Sequence, residues 1–345
     1  MTREHPLSTP SPEKKYLLGI DVGNSKTHAL LTDTAGHVVG FAEGGCGNYE
    51  VLGSDGYTQS LKIITEEVIA QAGVSPNSIA GMGFGLAGYD WPPEGPIMAA
   101  GIKALGTDAP FAFENDVMIG LIAGAEAGWG VAVDAGTGNN VWGRDAHGRT
   151  GRITGSSARF GELGGAGELV FLAVIAVTHA WTLRGPKTAL TQTLMDYTET
   201  ASEEELIGGL AMKKLHLSPI LARDILRVAA EGDPVAREIV QRNAQDLGLN
   251  ANAVIRQLGL QDLAFDVILI GSLFKAGEQV ISPLRETIHT FAPKARLNRL
   301  SVPPVAGAVL LGAEACGISA GQIRPTLIQS TASKLTSSDP SDLLE

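Results

Sequence analysis

Three aspartates, Asp21, Asp116 and Asp134, each stand at the end of an apolar run and precede a polar turn or a helix. One aspartate in such a place is most often a turn or N-cap residue. Two of them, however, open the same pattern of an acid, one further residue and a glycine, at Asp21–Gly23 and Asp134–Gly136. A glycine next to the acid lets backbone N–H groups approach a phosphate closely, so the pattern indicates anion binding.

A carboxylate repels a phosphate unless a divalent cation lies between the two. We therefore interpret Asp21 as a ligand of Mg²⁺ through a bound water molecule, and the turn Gly136–Gly138 as the place of the distal phosphate. Asp116 falls at the predicted N-terminus of a helix. The helix dipole there keeps a carboxylate ionised, as a general base must be.

The elements that carry these acids occur twice. Residues 16–36 form an apolar run, a glycine-bearing polar turn and a second apolar run, a pattern that predicts a β-hairpin. The same order returns in residues 130–148, where Asp134 and Gly136 follow Asp21 and Gly23 by 113 positions. Self-similarity of this kind indicates two related α/β halves, each presenting a glycine-rich hairpin turn to one cleft.

Composition limits the class of protein. The length of 345 residues favours two domains, and 44% hydrophobic with 18% charged residues is typical of a globular chain. The net charge of −11 argues against a nucleic-acid partner, which needs a basic face. Cys46 and Cys316 form no CxxC pair, so neither a disulfide framework nor a metal cluster is indicated. No apolar run is long enough to cross a bilayer. We expect a cytoplasmic protein without a membrane partner, and a homodimer is left open.

Coarse periodicity places the boundary between the halves near residues 116–128. The predicted domains are 15–118, joined by the C-terminal helix 305–320, and 119–304, with residues 1–14 and 326–345 as flexible tails. Residues 150–167 are rich in glycine and serine and are predicted to form a loop. The pattern from residue 203 to 260 is helical throughout, with breaks, and indicates a helical insertion.

Three familiar motifs are rejected. Ser25-Lys26-Thr27 lacks the glycines of a P-loop and precedes a strand instead of a helix. Gly83–Gly88 matches G-x-G-x-x-G, but the tyrosine, aspartate, tryptophan and prolines that follow cannot start the required helix. Gly317–Gly321 matches G-x-S-x-G, but no histidine lies downstream to complete the triad order.

Four segments together carry a resemblance to a known family. They are Asp21–Thr27, Glu114–Asp116, Asp134–Gly138 and Gly271-Ser272. In order and spacing they resemble the phosphate-1, catalytic, phosphate-2 and adenosine motifs of the actin, heat-shock ATPase and sugar kinase superfamily. More narrowly, the chain resembles the N-acetylglucosamine kinase family within the BadF/BadG/BcrA/BcrD-type ATPases. The resemblance implies an α/β fold of two ribonuclease-H-like domains, a duplicated βββαβαβα unit flanking an ATP-binding cleft.

The resemblance also implies a role for each matching residue. Asp116 is the general base that takes a proton from a sugar hydroxyl. The residues implied to bind ATP are Gly23, Asn24, Ser25, Lys26, Gly136, Thr137, Gly138, Gly271 and Ser272. Those implied to bind the substrate are Asn48, Gly88, Asn115, Asn140 and Glu162. Asp21 and Asp134 are the implied ligands of Mg²⁺. The implied partner is a small-molecule sugar, and the implied cofactors are ATP and Mg²⁺.

The chain departs from the family pattern in one loop. The kinases carry Trp-Gly-His ahead of a Gly-Asp-Glu-Gly segment, where this chain has Ser156-Ser157-Ala158 and then Gly161-Glu162-Leu163-Gly164. The acceptor is therefore left open between N-acetylglucosamine and a glucosamine-like sugar. Two other functions stay open as well. One is an ATPase activator of a CoA-ester dehydratase or reductase, and the other is a non-catalytic sugar or nucleotide sensor on the same fold.

Overall fold

A computed structural model describes residues 15–335, and the expected tail 1–14 lies outside the described residues. Within them the chain divides into two compact units. The first unit comprises residues 15–123 and 304–335, and the second comprises residues 124–303. The helix after Asp116 thus lies with the first unit, although the predicted boundary after residue 118 would have cut through it.

The first unit contains one five-stranded mixed sheet. Its strands are β1 Tyr16–Val22, β2 Thr27–Asp33, β3 Val38–Gly44, β4 Ile79–Leu86 and β5 Phe111–Asn115, in the order β3-β2-β1-β4-β5. β1 pairs antiparallel with β2 and parallel with β4, which in turn pairs parallel with β5. The carboxyl ends of β1, β4 and β5 therefore meet at one edge of the sheet, where ligands bind in α/β proteins.

The second unit repeats this arrangement. Its strands are β6 Gly130–Ala135, β7 Asn139–Arg144, β8 Thr150–Arg152, β9 Phe265–Ile270 and β10 Ala295–Arg299. They lie in the order β8-β7-β6-β9-β10, with β6 antiparallel to β7 and parallel to β9. Each strand thus has the place of its counterpart in the first sheet. The predicted α/β duplication is confirmed.

Helices cover the sheets and form the insertion of the second unit. The first unit has α1 Tyr49–Ala72, α2 Gly95–Lys103, α3 Asp116–Gly124, α10 Val305–Ala315 and α11 Ala320–Leu335. The second has α4 Ala166–Trp181, α5 Leu190–Thr198, α6 Glu203–Ala211, α7 Ala222–Glu231, α8 Pro234–Leu258 and α9 Glu278–His289. Residues 150–167, predicted to form a loop, contain β8 and a short 3₁₀ helix, Ser157–Phe160. The sequence did not reveal these elements because short elements leave little periodicity.

The glycines that mimic a dinucleotide motif serve packing. A Cβ atom on Gly83 would overlap the backbone of Ala308 in α10, and one on Gly85 would overlap the side chain of Ile119 in α3. Gly19 on the neighbouring strand likewise faces Val309. These glycines let α10 and α3 lie close against the sheet, which agrees with the rejection of the motif.

The C-terminal tail expected from residue 326 is wrong for residues 326–335, because α11 continues through Pro325 to Leu335. Ile323, Leu327 and Thr331 follow one another at four-residue spacing and are all buried. The Ser330 hydroxyl accepts a hydrogen bond from the Val38 N–H at 2.9 Å. Burial of this stripe outweighs the hydrogen bond that a proline removes from a helix. The remainder of the expected tail, 336–345, lies outside the described residues.

None of the helices in residues 15–335 has the length and apolar character needed to span a membrane.

Candidate active site

The turn between β1 and β2 exposes unused backbone donors. The Gly23 N–H donates to the Lys26 carbonyl at 2.9 Å and closes the turn. Within residues 15–335 the N–H groups of Asn24, Ser25 and Lys26 donate to no other group. Consecutive free N–H groups of this kind form an anion-binding concavity. The turn therefore has backbone donors that could bind an anion such as phosphate.

The loop between β3 and α1 supports this turn. The Thr27 hydroxyl donates to the Gly45 carbonyl at 2.8 Å, and the Asn48 amide donates to the Asn24 side-chain oxygen at 2.6 Å. Asn48 is only 3% exposed, and its own oxygen caps α1 by accepting from the Glu50 N–H at 2.8 Å. Part of the hydrogen-bonding capacity of Asn48 is thus already used in positioning the turn.

Gly88 lies against Asn48 and has a φ of +83°. A Cβ atom there would overlap the Asn48 side-chain oxygen. Both the left-handed backbone and the close approach therefore require glycine. Of the predicted site residues in the first unit, the structure thus brings Asn24, Asn48 and Gly88 together.

Asp116 begins α3 at the end of β5. The Val117 N–H donates to its carboxylate at 3.0 Å. Burial, followed by the negative charge of Asp90, raises the pKa of Asp116 from 3.8 to about 6, against the opposing effect of the Val117 N–H. Burial and then the charge of Asp116 raise the pKa of Asp21 to about 8. Two predicted site carboxylates thus share one buried neighbourhood.

This neighbourhood fits a hard divalent cation. No cationic side chain among residues 15–335 pairs with Asp21. The same residues hold no group of three histidines, cysteines or acids placed to bind a metal ion. Mg²⁺ commonly takes only one or two protein carboxylates and completes its shell with water and phosphate oxygens. Asp21 could therefore hold Mg²⁺ together with water and phosphate oxygens.

The Asn115 side chain makes three hydrogen bonds to protein groups. Its oxygen accepts from the Val117 N–H at 3.0 Å, and its amide donates to the Tyr89 carbonyl and to the Asp90 carboxylate, both at 3.2 Å. At 1% exposure it positions the loop after β4. Asp90 is a site residue that sequence reasoning missed. The signal that could have found it is its place after β4, the strand that lies between β1 and β5.

In the second unit the start of α4 binds the carbonyl groups of the corresponding turn. The N–H groups of Ala166 and Gly167, at the start of α4, donate to the Gly136 and Thr137 carbonyls at 3.0 and 2.8 Å. The N–H groups of Thr137 and Gly138 donate to no group within residues 15–335. Because the carbonyl side is fixed, the free N–H groups stay available to an anion.

Asn140 and Glu162 border one loop of the second unit. The Glu162 carboxylate accepts from the Thr154 N–H at 2.8 Å, from the Thr154 hydroxyl at 2.7 Å and from the Ser156 N–H at 3.0 Å. The Asn140 side chain lies against Gly155, which has a φ of +68°. The two predicted substrate residues are thus close to the same short segment, 154–156.

Gly271 and Ser272 lead from β9 towards a cavity. A Cβ atom on Gly271 would overlap the backbone of Ala135, and its φ is +105°. Ser272 begins a 3₁₀ helix that ends at Ala276. A cavity of about 520 Å³ follows, lined by Ala276 together with Ala229, Ala230, Arg237, Val240, Gln241, Gln279 and Pro283. Sequence reasoning missed this cavity because its walls come from four separate segments.

Two related sheets, each with a glycine turn that follows an acid-bearing central strand, define an actin-like α/β protein with unused backbone N–H donors in the turn of each unit. The chain belongs to the BadF/BadG/BcrA/BcrD ATPase family, whose model matches residues 18–312. This finding confirms the family resemblance drawn from the sequence motifs.

Relatives of known name agree with this membership. The chain is 26% identical over 304 residues to the N-acetylmuramic acid/N-acetylglucosamine kinase of Clostridium acetobutylicum, covering 88% of this chain and 99% of the relative. It is 25% identical to the N-acetyl-D-glucosamine kinase of Dictyostelium discoideum, covering 86% of this chain and 98% of that protein. The structure called a putative N-acetylglucosamine kinase from Chromobacterium violaceum shares the fold, with a TM-score of 0.64 at 24% identity. It covers 88% of this chain and 99% of its own.

Proposed function

We propose that the protein is a kinase that transfers the γ-phosphate of Mg-ATP to a hydroxyl of an amino sugar, either N-acetylglucosamine or a glucosamine-like sugar. The observation that carries the proposal is Asp116, a largely buried carboxylate at the start of α3 with a pKa of about 6. The kinase names of the two relatives, which the chain covers almost entirely, support the reaction and the substrate class.

Asp116 is the general base of this proposal. With a pKa of about 6 it is mainly ionised near pH 7, yet basic enough to accept a proton from an alcohol as the phosphoryl group arrives. Its place in the first turn of α3 favours the ionised form, because the positive end of the helix dipole lies there. Phosphoryl transfer asks little more of the protein than positioning and charge stabilisation.

Both turns are proposed to bind the phosphates. In the first unit the donors are the free N–H groups of Asn24, Ser25 and Lys26, and in the second they are those of Thr137 and Gly138. Asp21 and Asp134 would hold Mg²⁺, which when bound supplies charge neutralisation at the phosphate oxygens. The raised pKa of Asp21 supports this role. Burial and then the charge of Asp116 raise this pKa, and a bound cation would compensate the two acids.

The adenosine is proposed to occupy the 520 Å³ cavity beyond Gly271 and Ser272. Arg237, Gln241 and Gln279 supply hydrogen-bonding groups to an otherwise apolar wall. Mostly apolar walls with a few polar groups are typical of a small-ligand site.

The sugar is proposed to contact Asn48, Gly88, Asn140 and Glu162, while Asn115 acts by positioning Asp90. A cytoplasmic location stays a prediction, and the oligomeric state stays open, to be read from light scattering of the purified chain.

An acceptor screen tests the proposal. The full chain is incubated with Mg-ATP and, in turn, N-acetylglucosamine, glucosamine, N-acetylmuramate and glucose, and ADP release is followed. We expect ADP release to depend on an amino sugar and to be lost in Asp116→Asn. The exposed Asp108→Asn variant is the control for removing one acid, and it should keep full activity. ADP release that no sugar stimulates would refute the proposal.

A further inference from the structure

Glu168 is a buried acid that the proposed mechanism does not use. It lies in the first turn of α4, is 4% exposed and has no cationic partner among residues 15–335. Its carboxylate is satisfied by three neutral donors instead. They are the Ser157 hydroxyl, the Gly165 N–H at 2.9 Å and the Asn139 amide at 3.4 Å. The Gly165 bond is an ordinary capping interaction at the start of α4, where the helix dipole also favours an anion, so the bonds from Ser157 and Asn139 are the ones that go beyond capping.

The three donors come from two functional segments. Asn139 follows the phosphate turn Gly136–Gly138 directly, and a Cβ atom on Gly165 would overlap both the Gly138 backbone and the Glu168 carboxylate. One carboxylate oxygen of Glu168 therefore fixes the place where α4 meets the phosphate turn.

The other carboxylate oxygen of Glu168 accepts a hydrogen bond from Ser157, which lies in the loop next to the proposed sugar residues. Ser157 belongs to the 3₁₀ helix that follows segment 154–156. In that segment the Thr154 and Ser156 N–H groups donate to the Glu162 carboxylate. The φ of Ser157 is +64°, a left-handed conformation that is uncommon for a residue other than glycine. A hydrogen bond to a buried carboxylate offsets the strain of this conformation. Asn139 adds a second link, since its amide also donates to the Glu162 carbonyl at 3.0 Å.

We infer that Glu168 is a positioning residue that couples the acceptor-side loop, residues 154–162, to the phosphate turn, so that binding of nucleotide and sugar is synergistic. The inference rests on the proposed function. A phosphate that orders the turn also orders Asn139, Glu168 and Ser157, and the sugar then meets a loop already in place. The same coupling acts in the reverse direction, because coupling between two binding sites is reciprocal.

The test is a calorimetric titration of the full chain with Mg-AMP-PNP, with and without saturating N-acetylglucosamine. In the wild type we expect the sugar to tighten nucleotide binding by about fivefold or more. In Glu168→Ala this factor should fall to about one, whatever the change in nucleotide affinity without sugar, because the ratio of the two affinities isolates the coupling. Glu168→Gln should keep the synergy. Its oxygen can accept from Gly165 and Asn139, and its amide can donate to the Ser157 hydroxyl.

Two further variants keep the result interpretable if Glu168→Ala fails to fold. Ser157→Ala removes only the hydroxyl and should lower the synergy as well, with no additional loss in the Ser157→Ala, Glu168→Gln double variant. Glu205 is the matched control, because it holds the same position in α6 and accepts from the Ala201 N–H at 2.8 Å. Glu205→Ala should keep the wild-type synergy.

Wild-type synergy in Ser157→Ala or in a folded Glu168→Ala, or equal loss in Glu205→Ala, would overturn the inference. A wild-type chain that shows sugar-dependent ADP release without synergy would overturn it while leaving the proposed function intact. Absence of sugar-dependent ADP release would refute both.

Discussion

The two glycine turns, residues 23–26 and 136–138, follow equivalent strands of equivalent sheets, but their surroundings differ. Asp21, just before the first turn, has its pKa raised by burial and then by the charge of Asp116, whose own pKa is raised by burial and then by the charge of Asp90. The second turn is held by hydrogen bonds from the start of α4 to its carbonyl groups, and Glu168 accepts from the Gly165 N–H beside it. The two copies thus share a turn with unused backbone donors, while the two site carboxylates whose pKa is raised, Asp21 and Asp116, both belong to the first unit.

The largest effect is expected from removing the base in the acid-rich copy. Asp116→Asn should lower kcat by about 10³-fold, because no other group replaces the general base. Calorimetry should show Mg-AMP-PNP binding within about threefold of wild type. A variant with near-normal kcat would show that the acid-rich first unit is not where proton transfer occurs.

The next effect compares the aspartates at the two turns. Asp21→Asn should lower kcat by about 10²-fold and flatten its dependence on Mg²⁺ concentration, since a phosphate-bound cation loses its protein ligand. Asp134→Asn should cost less, because the proposed phosphate donors of the second turn are mainly its N–H groups, which the start of α4 holds in place. Magnesium titrations of both variants check this order. An equal loss in the two would remove the functional asymmetry between the units.

The raised pKa of Asp21 also affects stability. Its folded-state pKa is about 8 and its ordinary value is 3.8, so the folded ligand-free protein binds this proton more tightly than the unfolded chain does. The free energy of unfolding of the ligand-free protein should therefore decrease as the pH rises from about 4 to about 8. At pH 8.5 without Mg²⁺, Asp21→Asn should raise Tm by about 2–4 °C, and at pH 5 much less.

Asp33 is the matched control for this shift. Although burial opposes it, hydrogen bonds from His37 and Ala35 lower the pKa of Asp33. Asp33→Asn should therefore lower Tm at pH 8.5 instead of raising it. The same Tm change for Asp21→Asn at both pH values would contradict the account of Asp21.

A smaller effect tests Asp90, whose charge contributes to the raised pKa of Asp116. The wild-type kcat/KM should fall as the pH decreases below about 6, because Asp116 becomes protonated. In Asp90→Asn this acidic limb should move to lower pH, towards the ordinary value of 3.8. The pH profiles of wild type and variant give the measurement, and superimposable limbs would exclude the proposed influence of Asp90.

The smallest effect separates capping from binding at Asn48. Asn48→Ala should destabilise the protein by about 1 kcal/mol, because α1 loses its N-cap. Asn48→Asp keeps the cap but loses the amide donor to Asn24. It should unfold near the wild-type temperature yet show a raised KM for the sugar. Equal destabilisation by both variants in thermal unfolding would argue that the Asn24 contact, not the cap, stabilises this region.

The sequence predicted the features that repeat along the chain and missed those that depend on contacts between distant segments. The paired Asp-x-Gly turns showed the duplication, since an acid and a glycine at equal spacing are visible in one dimension. Asp90 escaped because its role depends on β4 lying between β1 and β5. The helix beyond Pro325 escaped because only burial of Leu327 and Thr331 against the first unit offsets the proline. The hydrogen bonds of Asn115 to Tyr89 and Asp90 were not foreseen, because only the fold brings these groups near, and its binding of substrate stays a prediction.

The central claim is that phosphate passes from ATP to a sugar instead of to water. The most direct test is the amount of phosphorylated amino sugar formed per ADP, measured by ³¹P NMR on the full chain with Mg-ATP and the acceptor that the screen selects. The account predicts one sugar phosphate for each ADP, and negligible ADP without the sugar. ADP that accumulates equally with and without the sugar, accompanied by free phosphate, would contradict it and favour an ATPase.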